Sequence, residues 1–269
     1  MAKVDILMPY WGEFRFAKET VDSVLAQTDP DWRLVIADDC YPSNELAEYC
    51  TSLDDNRITY IRHEKNLGIT ANFNFCVSQA TAEYCVIIGC DDRLLPTYIE
   101  RAVSHIGDCE FYQPGVEVID AEGTVYLPLA DRVKRILRPR KAGVYQGEKL
   151  ATSLCRGNWL YFPSIMWRTE TLRNHPFDPK YKIVEDVVVE LNMIIDGVHL
   201  MVDDAKTFQY RRSAESLSSK EKAKNGVRFD EEGEVYGLFA EKFAQLGWKK
   251  ASHTARLHLL SRMHDLFSS

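Results

Sequence analysis

The sequence predicts an α/β fold, in which a mainly parallel sheet is flanked by helices and followed by a C-terminal helical tail. Three observations support this prediction. Short apolar runs rich in Val and Ile alternate with segments of helical periodicity through residues 4–88. Pairs of acidic residues follow two of the predicted strands, at the edge where parallel sheets usually bind ligands. From about residue 230 onward only helical patterns remain.

The first half of the chain predicts four strands and three helices in alternation. The strand VDILMPY ends at Pro9, and the helix after it repeats apolar residues at helical spacing, among them Phe16, Val21 and Val24. The strand WRLVIADDC and the helix SNELAEYCTSL follow, and then the strand RITYIRHE. A Gly turn, the helix NLGITANFNFCVSQA and the strand EYCVIIG complete this half. Such alternation is typical of parallel sheets covered by helices.

The second half is less regular. The segment EFYQPGVEVIDAEGTVYLP alternates like a hairpin around an AEG turn. Six of the ten residues from Arg132 to Lys141 are Lys or Arg, which indicates either a solvated loop or a border of the acceptor entrance that attracts an anionic group. The later segments GEKLATSLCRG, WLYFPSIMWR, EDVVVELNMIIDG and HLMVDDAKTFQYRRS predict helix, extended chain, helix and strand in that order.

Composition limits the classes of function. The chain has 269 residues, 45% of them hydrophobic, and a net charge of −7, which argues against general nucleic-acid binding. No apolar run approaches the roughly 18 residues of a membrane span, and the N-terminal residues make a poor signal peptide. Seven scattered cysteines without a CxxC pair favour reduced thiols, and therefore a cytoplasmic protein.

Adjacent carboxylates follow two predicted strands, as Asp38 with Asp39 and as Asp91 with Asp92. Because the carboxyl ends of parallel strands meet at one edge of a sheet, we expect both pairs to face one crevice. Acids in this position cap the next helix, form salt bridges, or hold a hard divalent cation. The spacing alone leaves these three uses open.

The order of five segments resembles the family-2, GT-A-fold nucleotide-sugar glycosyltransferases. The segments are ILMPYWGEFRFAKETVDSVLAQT, WRLVIADDC, NLGITANFNFCVSQATAEYCVIIGCDD, VEDVVVELNM and YRRSAESLSS, and they span residues 4–219. The resemblance implies a GT-A, Rossmann-like domain over 1–228, with a nucleotide-binding half 1–110 and an acceptor-binding half 111–228. Residues 229–269 are then a helical extension.

The resemblance implies a Mn²⁺ or Mg²⁺ cofactor, since a cation neutralises the leaving nucleoside diphosphate. The last acid of the family's D-x-D motif falls on Asp91, and Asp92 shares the metal. Gly89 stands where the family has the first acid of the motif. This departure keeps open an alternative function, a catalytically inactive GT-A domain that serves as a nucleotide- or glycan-binding scaffold.

The resemblance also implies which residues bind the nucleotide. Asp38 accepts a hydrogen bond from the base, and the loop after the first strand packs on base and ribose. Arginine forks suit the diphosphate. Ser213 replaces a histidine that many members carry near it. The implied nucleotide-binding residues are Pro9, Tyr10, Glu13, Asp38, Asn66, Gly68, Asn72, Asp91, Arg211 and Arg212. Helix capping, for Asp38, and turn geometry, for Gly68, remain alternatives.

The resemblance implies an inverting reaction in which Asp186 takes the proton of the acceptor hydroxyl and Glu185 orients acceptor or base. Trp159, Tyr161 and Trp167 either stack on acceptor sugar rings or pack in the core. The expected partners are a UDP- or dTDP-sugar donor and a glycan or glycolipid acceptor. Peripheral contact with the inner face of a membrane is expected if the basic segment or the last helix, from Lys249, meets anionic lipid. The apolar face of that helix packs on the domain or on a second subunit in a homodimer.

Overall fold

The structure is a computed structural model, and it describes residues 2–212 and 227–257. The strands are β1 Val4–Tyr10, β2 Trp32–Asp38, β3 Ile58–Arg62, β4 Tyr84–Ile87, β5 Arg93–Leu94, β6 Phe111–Ile119, β7 Gly143–Tyr145, β8 Met166–Arg168 and β9 Leu200–Arg211. The helices are α1 Phe14–Leu25, α2 Glu45–Leu53, α3 Ile69–Gln79, α4 Tyr98–His105, α5 Leu129–Leu137, α6 Gly147–Cys155, α7 Thr169–Arg173, α8 Glu185–Ile195, α9 Val227–Gln245 and α10 Lys249–Leu257.

Within the described residues the strands form one sheet in the order β3-β2-β1-β4-β8-β6-β9-β5, and β7 also pairs with β9. The first half of the chain supplies the parallel block β3-β2-β1-β4, as the alternation of strands and helices predicts. The second half is mixed: β8 runs antiparallel to both β4 and β6, whereas β6 and β9 are parallel. The strands of the first half are therefore all parallel, and the second half combines one parallel pair with antiparallel ones.

Side chains on the two faces of the sheet supply two apolar cores. On β1, Leu7 joins one core while Ile6 and Met8 join the other, because neighbouring residues of a strand point to opposite faces. On β4, Ile87 and Val86 divide between the cores in the same way. A strand buried on both faces needs the continuous apolar run that the sequence shows there. The parallel block is thus a rigid support for the loops that leave its carboxyl edge.

The segment after β6 departs from the predicted hairpin. Ile119 and Val125 form a single antiparallel bridge, and Asp120 with Gly123 closes the turn, but no second strand follows. Helix α5 comes instead, where the basic residues indicated a loop. The chain between β6 and β7 therefore carries a surface helix.

The C-terminal helices share the core of the domain. Val235, Phe239 and Phe243 of α9 and Ala251 and Ala255 of α10 are fully buried in the core that also contains α6 and α8. Of the two predicted positions for the last helix, packing on the domain is the one observed. Among residues 2–212 and 227–257, no helix combines the length and apolar character needed to cross a bilayer.

Candidate functional site

The carboxyl end of β4 holds two carboxylates with different roles. Asp92 is 1% exposed, and its Oδ1 accepts a hydrogen bond of 2.8 Å from the backbone N–H of Arg211. Burial, and then the charge of Asp91, hold the pKa of Asp92 well above its usual range. Asp91 is half-buried, and burial raises the pKa of its carboxyl as well. Oδ1 of Asp92 anchors β9, so metal binding by Asp92 stays a prediction, and the half-buried Asp91 is the more accessible candidate.

The space around position 89 explains why this residue of the turn is a glycine. A Cβ at this position would lie 2.6 Å from Oδ2 of Asp92 and 3.2 Å from Oδ1 of Asp91. The first of these oxygens cannot move away easily, because the Asp92 side chain is buried and bound to Arg211. The missing first acid of the motif is therefore coupled to the conformation of the two acids that follow it.

Gly89→Asp, which restores that acid, is expected to lower the free energy of unfolding by about 1–3 kcal/mol, because it overpacks the turn and adds a carboxylate beside two others. Urea denaturation measures the change. The matched control is Gly237→Asp on α9, where a Cβ meets nothing within 4 Å. Equal effects of the two substitutions would contradict the steric explanation.

Arg211 is buried, and its guanidinium is occupied by protein acceptors. Nε donates to the Asp91 carbonyl at 2.8 Å, and Nη1 donates to the carbonyls of Asp120 and Ala121 at 2.9 and 3.0 Å. Nη2 donates to the carboxylate of Glu19 on α1. These contacts hold the guanidinium inside the protein, so a contact with the diphosphate requires some of them to break, and this role stays a prediction. Arg211 ties β9 to the β4 end and to α1.

The acids after β2 organise the turn that precedes α3. Asp39 accepts hydrogen bonds from the backbone N–H groups of Leu67 and Gly68, at 2.6 and 3.0 Å. Gly68 has a φ of 85°, a left-handed conformation that favours glycine. The backbone N–H of Gly68 also donates to Oδ1 of the exposed Asn66. The left-handed conformation agrees with the turn-geometry alternative for Gly68. Contacts of Asn66 and Gly68 with a nucleotide stay predictions.

Asp38 and Asn72 lie inside the protein. Asp38 is 0% exposed and accepts from the Tyr41 backbone N–H at 2.7 Å and from the Tyr60 hydroxyl at 2.6 Å. The Asn72 amide donates to the Ala37 carbonyl at 2.9 Å. Either side chain reaches a nucleotide only if its surroundings move, so the base contact of Asp38 and the role of Asn72 stay predictions.

Tyr10 is the last residue of β1, and the prediction that it offers a surface to the nucleotide is wrong, because its ring is fully buried in the core. The exposed aromatic ring of this loop is that of Trp11, which meets Tyr41 edge-on at 5.4 Å between ring centroids. Pro9 is half-buried and Glu13 is exposed at the N-cap of α1. A nucleotide role for these two residues stays a prediction.

The N-terminus of α8 carries the two predicted catalytic acids. Asp186 is half-buried, and its Oδ1 accepts from the backbone N–H of Val187 at 2.8 Å. Glu185 is buried, with 6% exposed. One turn later, Glu190 is fully buried and accepts from the Asn158 amide at 2.9 Å. Burial, and then the charge of Asp186, raise the pKa of Glu190 well above its usual range. The spacing of four residues places the two acids on the same side of α8.

A polar cluster lies between the two groups of acids. The buried carboxylate of Asp131 on α5 accepts from Arg212 Nε at 2.6 Å and from the Tyr161 hydroxyl at 2.7 Å. Lys134, one turn further along α5, donates to the Leu160 carbonyl and lies over the Tyr161 ring at 4.4 Å. Burial, and then the charge of Arg212, lower the pKa of Lys134 to about 8, against the opposing charges of Asp186, Glu190 and Asp131.

These charges connect the β4 end with α8. The charges of Asp92, Arg212, Asp91 and Asp131 all act on Tyr210, while those of Asp186 and Glu190 act on Lys134. Asp131 is a neighbour of both groups of charges. That Asp91 and Asp186 serve one site stays a prediction, as does a contact of Arg212 with a diphosphate.

The predicted acceptor wall is only partly available. Trp159 and Trp167 are 1% and 0% exposed, and the Trp167 ring stacks on Phe111 at 5.3 Å. The prediction that these two rings stack on an acceptor sugar is wrong, because both are in the core. Tyr161 is half-buried at the edge of the site and stays a candidate.

A sequence profile described as "Glycosyl transferase family 2" matches residues 5–169. The chain belongs to this family. The match includes β1 to β4, the acids of the β4 end and the helix α5. The protein is therefore a glycosyltransferase, as the five segments predict.

Curated relatives of this family-2 chain come from several organisms. It is 36% identical over 103 residues to WcaA of Escherichia coli K12, which is named for colanic acid biosynthesis. These residues are 38% of this chain and 37% of that protein. Glycosyltransferase MJ1057 of Methanocaldococcus jannaschii is 27% identical over 215 residues, 77% of this chain and 70% of the relative. Glycosyltransferase EpsE of Bacillus subtilis is 29% identical over 203 residues, 72% and 68% of the two chains.

Solved structures identify the family-2 chain as GT-A. S. aureus TarS 1–349 in complex with UDP-GlcNAc matches with a TM-score of 0.69 at 17% identity, over 90% of this chain and 66% of that one. The mannosyltransferase PcManGT of Pyrobaculum calidifontis, in complex with GDP-Man and Mn²⁺, matches with a TM-score of 0.67 at 13% identity. The match covers 96% of this chain and 70% of that one. The predicted GT-A fold is confirmed.

Three residues of this family-2 site were not predicted. Asp131 and Lys134 lie on α5, which overlaps the basic segment 132–141. Because that segment is rich in positive charge, its sequence did not indicate a helix with a polar face turned inward. Glu190 follows Asp186 by four residues, the spacing that brings side chains to one face of a helix. That spacing was the available signal for Glu190. The segment 213–219, which resembles the family's cover over the diphosphate and includes Ser213, lies outside the described residues.

Proposed function

We propose that this glycosyltransferase moves a sugar from a UDP- or dTDP-sugar to a hydroxyl of a glycan or glycolipid, with inversion and with Mn²⁺ or Mg²⁺. The observation that carries the proposal is a row of contacts from the β4 end to α5. Arg211 donates to the Asp91 carbonyl, the neighbouring Tyr210 ring meets the Tyr161 ring at 5.3 Å, and Asp131 of α5 accepts from Tyr161 and Arg212. In this proposal the row lies between a cation ligand, Asp91, and a proton acceptor, Asp186, the two groups that a displacement of a diphosphate by a hydroxyl requires.

Asp91 fits a divalent cation as a shared ligand. It offers half-buried carboxylate oxygens, the ligand type that Mg²⁺ and Mn²⁺ prefer. Among residues 2–212 and 227–257, no group of three or more His, Cys, Asp or Glu side chains is arranged to hold a metal. In this proposal the donor diphosphate completes the coordination, and the bound cation supplies positive charge to the leaving group.

Asp186 accepts the proton of the attacking hydroxyl. Its position at the first turn of α8 favours the ionised carboxylate, because the partial positive charge of a helix N-terminus stabilises an anion. Burial raises the pKa of Glu190, which disfavours a second negative charge beside Asp186. Glu185, buried next to it, orients the acceptor or the base.

Arg212 and Tyr161 form the wall between the two ends. Asp131 fixes both side chains, so a guanidinium and an aromatic ring are held at the site before substrate binds. A guanidinium suits the departing diphosphate, and an aromatic ring suits the apolar face of a sugar. Preorganised groups of this kind lower the cost of orienting the reactants.

Thermal denaturation with UDP, dTDP and GDP, each with and without Mn²⁺, tests the donor side of the proposal. UDP or dTDP is expected to raise the melting temperature only when Mn²⁺ is present, because binding to the folded state stabilises it by mass action. Asp91→Asn is expected to abolish the increase that depends on Mn²⁺, whereas Asp108→Asn, an exposed control, is expected to retain it.

Two results would contradict this assignment. Tight binding of Mn²⁺ to the protein alone, unchanged in Asp91→Asn, would place the metal elsewhere. Stabilisation by GDP but not by UDP or dTDP would show that the donor carries guanine and not the proposed uracil or thymine. Hydrolysis of the donor sugar, followed with and without Mn²⁺, separates an active enzyme from the scaffold alternative that Gly89 keeps open.

A further inference from the structure

Helix α5 presents large apolar side chains to solvent. Leu129 is 76% exposed and Ile136 is 79% exposed, and Val125, Tyr126 and Leu127 before the helix are between 37% and 54% exposed. Isolated apolar side chains on a surface are ordinary, but a contiguous group of this kind indicates a surface that meets another apolar phase.

The opposite face of α5 is fixed to the candidate active site. Asp131 is 1% exposed and receives Arg212 and Tyr161, while Lys134 donates to the Leu160 carbonyl. After the helix, Arg138 pairs with Asp204 at 2.8 Å. Because these contacts hold the polar face inward, the helix cannot rotate its leucine and isoleucine into the core.

Arginines surround the exposed apolar residues. A groove of about 400 Å³ opens here, and its lining residues are Leu127, Arg132, Arg135, Ile136 and Arg140. In the described part of the chain none of these three arginines has an ion-pair partner, and each is exposed. The four basic side chains that point outward from residues 132–141 are those of Arg132, Arg135, Arg140 and Lys141.

We propose that this α5 outer face, defined as Leu127, Leu129, Arg132, Arg135, Ile136 and Arg140, docks on the surface of a bilayer that contains anionic lipid. Guanidinium groups match headgroup phosphates, and leucine and isoleucine enter the boundary between headgroups and acyl chains. An interfacial helix needs both features on one side, and the α5 outer face has both.

Charge complementarity selects this occupant over others. A second copy of the chain would set two arginine-rich faces against each other, which is repulsive. A soluble polyanion would bind the arginines but would leave Leu129 and Ile136 in water. The chain as a whole carries a charge of −7, so attraction to an anionic surface requires a local basic face of this kind. This inference does not depend on the proposed donor, metal or base.

Co-sedimentation of the full chain with vesicles tests the proposal. Binding is expected with phosphatidylcholine vesicles that contain phosphatidylglycerol, and it is expected to weaken with added salt and to be lost with phosphatidylcholine alone. The triple variant Arg132→Ser, Arg135→Ser, Arg140→Ser is expected to lower the partition coefficient by about a hundredfold. The matched control Lys3→Ser, Lys65→Ser, Arg156→Ser removes three exposed basic residues elsewhere and is expected to have a much smaller effect.

The double variant Leu129→Ser, Ile136→Ser distinguishes docking from simple charge attraction. It keeps the arginines, and it is expected to lower vesicle binding by at least about tenfold. Equal binding by wild type and the double variant would overturn the proposal, as would equal losses in the triple variant and its control. A dimer in sedimentation velocity that the double variant abolishes, without vesicle binding by wild type, would assign the face to a second copy instead. Circular dichroism of each variant checks that the fold is retained.

Discussion

Replacing Asp186 with asparagine is expected to lower the rate of sugar transfer by about 10²- to 10⁴-fold, the usual contribution of a general base. Asparagine keeps the shape of the side chain and its contact with the Val187 backbone N–H, but it does not accept the proton of the acceptor hydroxyl. Because the base acts on the acceptor, affinity for the donor nucleotide is expected to stay within about twofold. Steady-state kinetics and calorimetry with the nucleotide measure the two quantities.

The matched control for this experiment lies at the other end of the same helix. Asp196→Asn makes the identical chemical change where the carboxylate is 64% exposed and pairs with His175. Its transfer rate is expected to equal that of the wild type. If the transfer rate of Asp186→Asn stays within about tenfold of that of the wild type, the catalytic base is another group. If Asp186→Asn loses nucleotide affinity instead, Asp186 belongs to the donor side of the site.

Arg211→Met is expected to lower the free energy of unfolding by about 1–3 kcal/mol. The methionine approximates the length of the side chain but leaves the Asp91 carbonyl without its donor. Glu19 keeps its ion pair with Arg93, and the carbonyls of Asp120 and Ala121 still accept from Gly123 and Arg15. The cost therefore comes mainly from one buried acceptor that has lost its hydrogen bond. Urea denaturation is expected to show a lower midpoint with an unchanged slope.

The exposed Arg156 provides the comparison for Arg211. Arg156→Met is expected to change the free energy of unfolding by less than about 0.5 kcal/mol, as surface substitutions usually do. A phosphate-binding role for Arg211 predicts the opposite result, in which Arg211→Met folds with normal stability and binds the nucleotide poorly. The two readings of this arginine therefore differ in which measurement changes.

The parallel block of the sheet could be predicted from the sequence because its strands are buried on both faces. Ile6, Leu7 and Met8 face two cores in turn, so the strand is apolar throughout and is easily recognised. Helix α5 was missed because its arginines dominate the composition. Pro128 at its N-cap and Pro139 just beyond its end were the signals that bracket it.

The positions of the acids at the β4 end could be predicted from the sequence, but the different roles of Asp91 and Asp92 could not. Asp91 and Asp92 are neighbours in the chain, yet Asp92 is fixed by the backbone of Arg211, 119 residues away. Arg211 in turn meets Glu19, 192 residues away. Contacts of that separation depend on the tertiary fold, so a sequence pattern that predicts "arginine near phosphate" cannot distinguish a ligand from a buried structural cation.

Gly89 and Asp92 have a consequence for how such sequences diverge. Since a side chain at 89 would occupy the space of the Asp92 carboxylate, the two positions are epistatic. An acid at 89 is expected to cost less stability where residue 92 is smaller, so Gly89→Asp combined with Asp92→Ser is expected to be less harmful than the sum of the two single substitutions. A mutational path between this turn and a D-x-D turn therefore has a preferred order, in which residue 92 changes first.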